Sequence, residues 1–182
     1  MSSTPADLPA ENRGPGQSSD ELFEAVYARL KAIAGGQLAS RERGSLNTTA
    51  LVHELYLRVT SNRELVFSHP AQFFAYAARA MRHLLSDRAR DKLRQRAGGD
   101  WQRVTLTGSD ARLSIDSAEQ ALALEGALQQ LEGADQRAAR VVELHYFAGL
   151  TLERIAEMLD LTRRTIDRDW RFARAFLHDR LR

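Results

Sequence analysis

The sequence predicts an all-helical protein with two helical domains, a flexible linker between them and a helix-turn-helix at the end of the second domain. Apolar residues recur at the i, i+3, i+4, i+7 spacing over most of the chain, and only four prolines interrupt its 182 residues. Hydroxyl side chains stand just before several of these periodic runs, where an oxygen can cap free backbone N–H groups. An apolar content of 43% is enough for a buried core.

A disordered tail is predicted ahead of the first domain. Residues 1–17 contain three of the four prolines and two glycines among small polar residues, and they show no apolar period. Ser18 and Glu21 then match a capping box, which predicts the start of a helix and of a domain spanning residues 18–97.

A further helix of this domain follows Asn47-Thr48-Thr49. Its sequence, TALVHELYLRVT, places apolar residues along one helical face. The pair His53-Glu54 resembles the start of a zinc-protease motif, but Leu57 stands where that motif needs a second histidine. We therefore reject a zinc site here and interpret His53 as a surface or packing residue.

The longest predicted helix changes character along its length. It begins near Pro70, a favourable first helical residue, and reads AQFFAYAARAMRHLLSDRARDKLRQRA. From Arg79 to Arg96 seven basic residues stand against two acidic ones, and seven minus two gives +5. Basic density beside aromatic residues favours a surface that follows a nucleic-acid backbone and stacks on exposed bases. The alternative is that the aromatic rings are core, which we favour for Phe73 or Phe74.

The linker and the second domain follow. Residues 98–116 have no helical period and contain turn formers, which predicts a flexible linker. The second domain, residues 117–182, opens with a capping-box pattern at Ser117 and Gln120. Gly133 is predicted to break its first helix, and the whole domain is predicted to be a bundle of about four helices.

The segment from Gly149 to Leu181 predicts two short helices joined by a tight turn at residues 160–162. Thr151 and Thr162 each precede a run of apolar residues at helical spacing. The second helix turns its apolar residues inward and leaves arginines on or near its outer face, which is the outline of a helix-turn-helix. The alternative interpretation is an ordinary helical hairpin with a solvated basic face.

Composition narrows the classes of function. The net charge is only +2, so the chain as a whole is not a polycation. Attraction to an acidic partner would come from local clusters of basic residues. The chain has no cysteine, which excludes a disulfide framework and a thiolate metal site and fits a reducing cytoplasm. No apolar run approaches the roughly 18 residues of a membrane span, and the N-terminus lacks the basic and apolar parts of a signal peptide.

The order and spacing of three segments carry a resemblance to a known family. The segments are ALVHELYLRV, FFAYAARAMRHLLSDRAR and RVVELHYFAGLTLERIAEMLDLTRRTIDRDWRFARAFL. From about Ser18 to the C-terminus the chain resembles a bacterial extracytoplasmic-function sigma factor, an RNA polymerase subunit that selects promoters. The resemblance implies that residues 18–97 are sigma region two and residues 117–182 sigma region four. It implies core RNA polymerase and promoter DNA as partners, and no catalytic residue. We also expect no cofactor, no metal and no membrane contact.

The resemblance also implies three sets of contacts. The ALVHELYLRV helix would dock on the polymerase clamp, the later part of the long helix would bind the melted promoter element, and the last helix would read the more distant element. The polymerase-binding residues are Leu51, Glu54, Leu55 and Arg58. The residues for the melted element are Arg79, Arg82, His83, Arg88, Arg90 and Arg94. The residues for the distant element are Arg163, Arg164, Arg168, Arg171 and Arg174.

Two departures from the family pattern affect promoter choice and control. The family usually has an asparagine near its base-capturing loop, where this chain has His83. The family also carries acidic residues ahead of the clamp helix, but Asn47-Thr48-Thr49-Ala50 contains no carboxylate. We therefore hypothesise that Thr49 or Thr48 is phosphorylated by a Ser/Thr protein kinase, which would restore negative charge at a helix N-terminus. The alternative is that both threonines are only caps, and control by an anti-sigma factor stays open.

Two other classes of protein compete with this interpretation. A stand-alone dimeric helix-turn-helix regulator would explain the second domain but not the basic, aromatic-rich helix of the first. A metal-dependent hydrolase would have only five scattered histidines to use, none with ligand spacing on a helical face beside a carboxylate. The sigma factor is the favoured interpretation because it accounts for both domains.

Overall fold

Helices make up most of the chain that the structure describes. The computed structural model describes residues 53–55, 57, 58, 61, 67–94, 101, 104–107 and 112–181. The elements are α1 (Pro70–Arg94), β1 (Val104–Thr107), β2 (Arg112–Ile115), α2 (Ala118–Ala134), α3 (Gln136–Tyr146), α4 (Leu152–Met158) and α5 (Arg163–Arg180). The described residues between 53 and 61 are helical as well. The predominance of helices among the described residues confirms the predicted all-helical fold class.

Several predictions concern residues outside the described part of the chain. These are the disordered tail over residues 1–17, the helix start at Ser18, the candidate phosphorylation sites Thr48 and Thr49, and the polymerase contact Leu51.

The helix α1 begins where the sequence predicts. Pro70 is its first residue, a position where the missing N–H of proline leaves no hydrogen bond unmade. The Ser68 N–H donates to the side-chain oxygen of Gln72 at 3.0 Å and closes the first turn. Phe73 is fully buried, and its ring meets Phe67 edge-on with centroids 5.3 Å apart. The interpretation of Phe73 as a core residue is therefore confirmed.

A two-stranded hairpin lies within the predicted linker, residues 98–116. β1 and β2 pair antiparallel with Val104 opposite Ile115, and β1 contacts α3 while β2 contacts α2. Val104, Leu106 and Ile115 are buried, and Trp101 Nε1 donates to the Ile115 carbonyl at 3.1 Å. The prediction of a flexible linker is therefore wrong for these two strands. Strands this short are stabilised by the helices they cover, which no local sequence pattern reveals.

The helices α2 to α5 form the predicted four-helix bundle. Each begins at a side chain that accepts a hydrogen bond from a backbone N–H, and the capping residues are Ser117, Asp135, Thr151 and Thr162. The predicted break at Gly133 falls one residue early, because α2 continues to Ala134. One glycine costs a helix only about 1 kcal/mol. The extended backbone of Asp135 ends α2 and starts α3 instead.

The helix α1 packs on α2 and α3, so the described residues share one buried core. That core runs from Leu55 through α1 and the hairpin to Leu177 in α5. Polar side chains also pair across the seam, the contact surface between α1 and the bundle of α2 to α5. There Arg79 Nη2 lies 2.7 Å from Glu132 Oε1. The division into domains at residues 18–97 and 117–182 stays a prediction.

Candidate DNA-binding surface

Two capped helices and a tight turn form the end of the bundle. Thr151 Oγ1 accepts a hydrogen bond from the Arg154 N–H at 3.1 Å, and Thr162 Oγ1 accepts one from the Thr165 N–H at 3.2 Å. Each hydroxyl satisfies a backbone donor that the start of a helix leaves unpaired. The two predicted helices are therefore confirmed, as are the residues that cap them.

Asp160 makes the turn between α4 and α5 tight. Its φ of 53° is the only positive φ among the described residues other than glycine. The Leu161 N–H donates to the Ala156 carbonyl at 2.9 Å, and the Asp160 N–H donates to the Glu157 carbonyl at 3.3 Å. This pair of hydrogen bonds is a Schellman ending, in which glycine is commonest and aspartate is one of the few tolerated alternatives. The turn thus fixes the direction in which α5 leaves α4.

An apolar side anchors α5 in the bundle. Its buried apolar residues are those predicted from helical spacing, namely Ile166, Trp170, Ala173 and Leu177. The Trp170 ring packs edge-on against the buried His145, with centroids 4.6 Å apart. His145 Nδ1 donates to the Leu150 carbonyl at 2.8 Å, since a carbonyl oxygen only accepts. The His145 imidazole therefore positions the loop before α4 and also sets the rotation of α5 about its own axis.

A salt bridge between α3 and α5 fixes the same orientation. Arg137 Nε donates to Asp169 Oδ2 at 2.5 Å, and Arg137 Nη2 donates to Oδ1 at 3.1 Å. Asp169 is only 3% exposed. The hydrogen bonds from Arg137 and the charge of Asp169 raise the pKa of Arg137 above its ordinary value. A bidentate salt bridge of this kind fixes the rotation of α5 about its own axis.

The outer side of α5 carries the predicted row of arginines. All five are exposed, namely Arg163, Arg164, Arg168, Arg171 and Arg174. Because the opposite side is held by Trp170 and Asp169, the row faces away from the bundle. Exposed guanidinium groups on an anchored helix can meet phosphates and guanine edges.

Local contacts divide this row into arginines that have a close partner and arginines that do not. Arg163 pairs with Asp167 at 2.9 Å and with Glu153 of α4. Arg171 Nε donates to the Asp167 carbonyl at 3.2 Å, and Arg174 lies 5.9 Å from the centroid of the Trp170 ring.

Arg164 and Arg168 are the members of the row without a close partner among the described residues. Arg164 has no ion-pair partner among the described residues, and the Arg168 side chain is 70% exposed with Nε 3.7 Å from Asp169. These two guanidinium groups have the fewest contacts to give up on meeting DNA.

Part of the basic half of α1 is also exposed. The residues are Arg79, His83, Arg90 and Arg94, and they follow one another at helical spacing. Arg90 pairs with Asp87 at 3.0 Å and Arg94 with Asp91 at 2.5 Å, both on the surface of the same helix. Exposed pairs contribute little to stability, so a phosphate can replace their carboxylates at small cost.

Two other arginines of α1 are turned toward carboxylates. Arg88 pairs with Glu54 at 3.0 Å. Arg82 is 4% exposed and lies between Glu125 and Glu143. Burial alone would lower the pKa of Arg82, but hydrogen bonds and charge from the two glutamates raise it above its ordinary value. In this arrangement Arg82 is shielded from DNA, and its predicted promoter contact stays a prediction.

The comparison with family models decides between the classes considered above. The model described as ECF sigma factor matches residues 8–182. The chain belongs to this family. Comparison with curated proteins and with solved structures returned no match. A sigma factor binds RNA polymerase and promoter DNA and directs transcription initiation, a regulatory and non-enzymatic task, so the stand-alone dimeric regulator is not favoured.

The helical residues ahead of α1 hold the predicted polymerase contacts of this sigma factor. Leu55 is fully buried, Glu54 is half-buried and Arg58 is exposed. Glu54 also lies 3.9 Å from Arg58. Leu57, which is not among the predicted contacts, is 52% exposed.

Clusters of metal-ligating residues and membrane-spanning helices are both absent from the described part of this sigma factor. No group of three or more histidine, aspartate or glutamate residues within it is placed to hold a metal ion. None of its helices is long and apolar enough to cross a membrane.

Nothing in the sequence near Glu125 and Glu143 points to their contacts with Arg82. Each lies far along the chain from Arg82, 43 and 61 residues away, so no local pattern connects them.

Proposed function

We propose that this sigma factor reads the distal promoter element with α5 and binds the melted element with the outer side of α1. The observation that carries the proposal is the row of five exposed arginines on α5, opposite a side anchored by Trp170 and Asp169. A row fixed in this way presents its guanidinium groups in one geometry, as base and phosphate recognition requires. We place this work in the cytoplasm, where bacterial RNA polymerase meets DNA.

Arg164 and Arg168 are the proposed base- or phosphate-contacting pair. Both are exposed, and neither gives up a close ion pair on binding. Arg163, Arg171 and Arg174 have partners that orient them, which suits contacts to phosphates on either side. On the outer side of α1, His83 supplies a flat ring and Arg90 and Arg94 supply charge for a melted strand.

Run-off transcription with core RNA polymerase and genomic promoter fragments tests the proposal. Compared with the wild-type chain, the double variant Arg164→Ala/Arg168→Ala is expected to give more than tenfold fewer promoter-specific transcripts, because each of the two lost contacts weakens binding by about 1–3 kcal/mol. Arg140→Ala is the matched control, since Arg140 is an exposed arginine on α3.

The outcomes separate the proposed roles. An equal loss in both variants would point to overall charge and not to α5. No transcript from the wild-type chain, with tight duplex binding in the absence of polymerase, would instead favour a stand-alone regulator.

For polymerase we propose a contact through the helical residues near Arg58. Glu54 and Arg58 keep their predicted roles, and the exposed Leu57 adds an apolar contact beside them. Leu55 supports this surface from the core. Leu57→Ser is expected to weaken binding to core polymerase without changing the melting temperature.

Control by phosphorylation of Thr48 or Thr49 is the finer part of the proposal. Its support is the absence of a carboxylate in Asn47-Thr48-Thr49-Ala50, directly ahead of the helix proposed to dock on polymerase. A phosphate there would add about −1.5 to −2 charges. Thr49→Glu and Thr48→Glu are expected to raise polymerase binding and transcription, whereas Thr49→Ala and Thr48→Ala are not. Equal activity in all four variants would contradict control by phosphorylation and would leave both threonines with the role of helix caps only.

A further inference from the structure

A groove of about 620 Å³ lies between α5 and the elements β2, α2 and α3. Leucines from three of these elements form its apolar wall, namely Leu113 of β2, Leu124 of α2 and Leu177 of α5. Leu181, directly after α5, lines the same groove and is 39% exposed. Clefts of roughly 300–1,000 Å³ with mostly apolar walls are those in which proteins bind small organic molecules. The groove therefore has the size and the lining of a small-molecule site.

The basic side chains of this groove stand in a row on one helix. Arg171, Arg174 and His178 follow one another three and four residues apart on α5, so they share one side of it, and all three are exposed. Within the described part of the chain no carboxylate forms a salt bridge with any of them, whereas Arg163 and Arg180 of the same helix are paired. A positive rim without a carboxylate of its own is complementary to an anion.

The contacts of the two arginines leave donors for such an anion. Arg171 uses Nε to donate to the Asp167 carbonyl at 3.2 Å, and its Nη atoms take no part in that bond. Arg174 lies over the face of the Trp170 ring, 5.9 Å from the centroid. A guanidinium stacked on a ring keeps its N–H donors at its edge, so both side chains can still bind a carboxylate.

A second cavity of about 210 Å³ adjoins the groove. It shares Leu113, Leu124 and Leu181 with the first cavity, and it is also lined by Ala123 of α2. No charged residue lines it. The basic end and the apolar end of the combined space are therefore separate. An occupant that matches both ends is elongated, with an anionic head and an apolar tail.

We propose that this groove binds a linear amphipathic carboxylate, with the head at Arg171 and Arg174 and the acyl chain along Leu113, Leu124 and Leu181. A carboxylate accepts charge-assisted hydrogen bonds from guanidinium groups, and the acyl chain gains by leaving water. Arg171 and Arg174 are also the proposed phosphate contacts, so a bound carboxylate withholds them from promoter DNA. That consequence rests on the proposed function, whereas the binding itself does not.

Isothermal titration calorimetry of the full chain with sodium decanoate, kept below the concentration at which it forms micelles, tests the binding. We expect saturable binding of one decanoate per chain. Acetate has the head without the tail, and decyltrimethylammonium has the tail without the anionic head. Each is expected to bind at least tenfold more weakly, because it makes only one of the two kinds of contact. No saturable binding of decanoate, or equal binding of decyltrimethylammonium, would overturn the proposal and leave the proposed function intact.

Variants locate the site on the chain. Arg171→Ala/Arg174→Ala is expected to lower decanoate affinity at least tenfold, since it removes both partners of the head. Leu181→Ser is expected to lower it about threefold, because it removes part of the apolar wall at an exposed position. Arg164→Ala/Arg168→Ala takes the same charge from the same helix outside the groove and should leave decanoate affinity unchanged. Equal affinity in all three variants, each folded by circular dichroism, would place decanoate elsewhere and overturn the site.

Run-off transcription with core polymerase tests the competition with DNA. Decanoate is expected to inhibit promoter-specific transcription by the wild-type chain, with a midpoint close to its dissociation constant. For Leu181→Ser that midpoint should rise by the same factor as the dissociation constant, which separates an effect on this chain from an effect on polymerase. Transcription that persists while decanoate is bound would overturn the competition. No transcript in the absence of decanoate would instead contradict the proposed function and leave the binding result in place.

A second copy of the chain is the competing occupant of this groove. In that case light scattering would show a dimer of the wild-type chain that Leu181→Ser converts to a monomer, and decanoate would not bind. That result would overturn the small-molecule site. A wild-type monomer that binds decanoate supports it.

Discussion

At the scale of single residues, Asp169 shows how a buried charge can position the exposed arginines of α5. Asp169 is a carboxylate on α5 that lies almost fully buried, and Arg137 of α3 holds it with two hydrogen bonds. A buried carboxylate without its partner is costly, whereas a half-exposed arginine without its partner can be solvated. The two members of the pair therefore contribute unequally.

Arg137→Met is expected to lower the free energy of unfolding by about 2 kcal/mol, because it leaves the Asp169 carboxylate buried without its main donor. Arg140→Met, on the exposed side of the same helix, should change it by less than about 0.5 kcal/mol. Urea denaturation followed by tryptophan fluorescence measures both. Equal effects from the two variants would mean that the pair does not anchor α5.

At the scale of elements, the start of α5 is set by one hydroxyl. Thr162 Oγ1 accepts from the Thr165 N–H and lies 2.9 Å from Thr165 Oγ1. Two hydroxyls therefore share the first turn of the helix that bears the arginines. A frayed first turn would displace Arg163 and Arg164 first, so this cap supports both stability and the proposed contact with DNA.

Thr162→Ala is expected to destabilise the chain by about 1 kcal/mol, since it removes an N-cap acceptor. Thr162→Ser keeps the hydroxyl and serves as the control, with an expected loss of only a few tenths of a kcal/mol. Chemical denaturation measures the difference. A result in which serine and alanine behave alike would show that the hydroxyl does not cap α5.

The hairpin is the element in which structure and sequence interpretation differ most. Leu106 is buried at 3% exposure, whereas Ser114 on the partner strand is exposed. Leu106→Ala is expected to cost about 2–4 kcal/mol, because it leaves a cavity under the hairpin. Ser114→Ala should be nearly neutral. A neutral Leu106→Ala in thermal denaturation would restore the interpretation of residues 98–116 as a flexible linker.

At the scale of the whole molecule, charge is arranged by location and not by total. The net charge is only +2. Arginines on α5 and on the outer side of α1 are exposed, while the seam between α1 and the bundle gathers the carboxylates of Glu125, Glu132 and Glu143. A nearly neutral protein can therefore offer DNA basic surfaces without a strong overall attraction to it.

Salt dependence measures how many of these charges meet phosphates. For the complex of this chain with core polymerase on a promoter, we expect the logarithm of affinity to fall linearly with the logarithm of salt concentration. Arg164→Ala/Arg168→Ala should make that slope shallower by about 1.8 if both residues contact phosphates, at about 0.9 per contact. An unchanged slope with lost affinity would assign the two arginines to bases instead.

The sequence by itself determined the parts of this sigma factor that depend on near neighbours. Helical spacing predicted most of the buried apolar residues of α4 and α5, and the threonine caps predicted where those helices start. These features are local because a helix repeats every few residues and its cap lies within one turn. The same spacing predicted that the arginines of α5 are exposed, although which of them contacts DNA stays a prediction.

The tertiary structure alone decided the rest. Spacing along α1 gave Arg82 the same basic character as Arg79 or Arg90, but Glu125 and Glu143 lie 43 and 61 residues away from it and meet it only when α1 packs on α2 and α3. The hairpin likewise depends on the helices beneath it. Contacts between residues distant in sequence follow from how elements pack, and packing is a property of the whole chain.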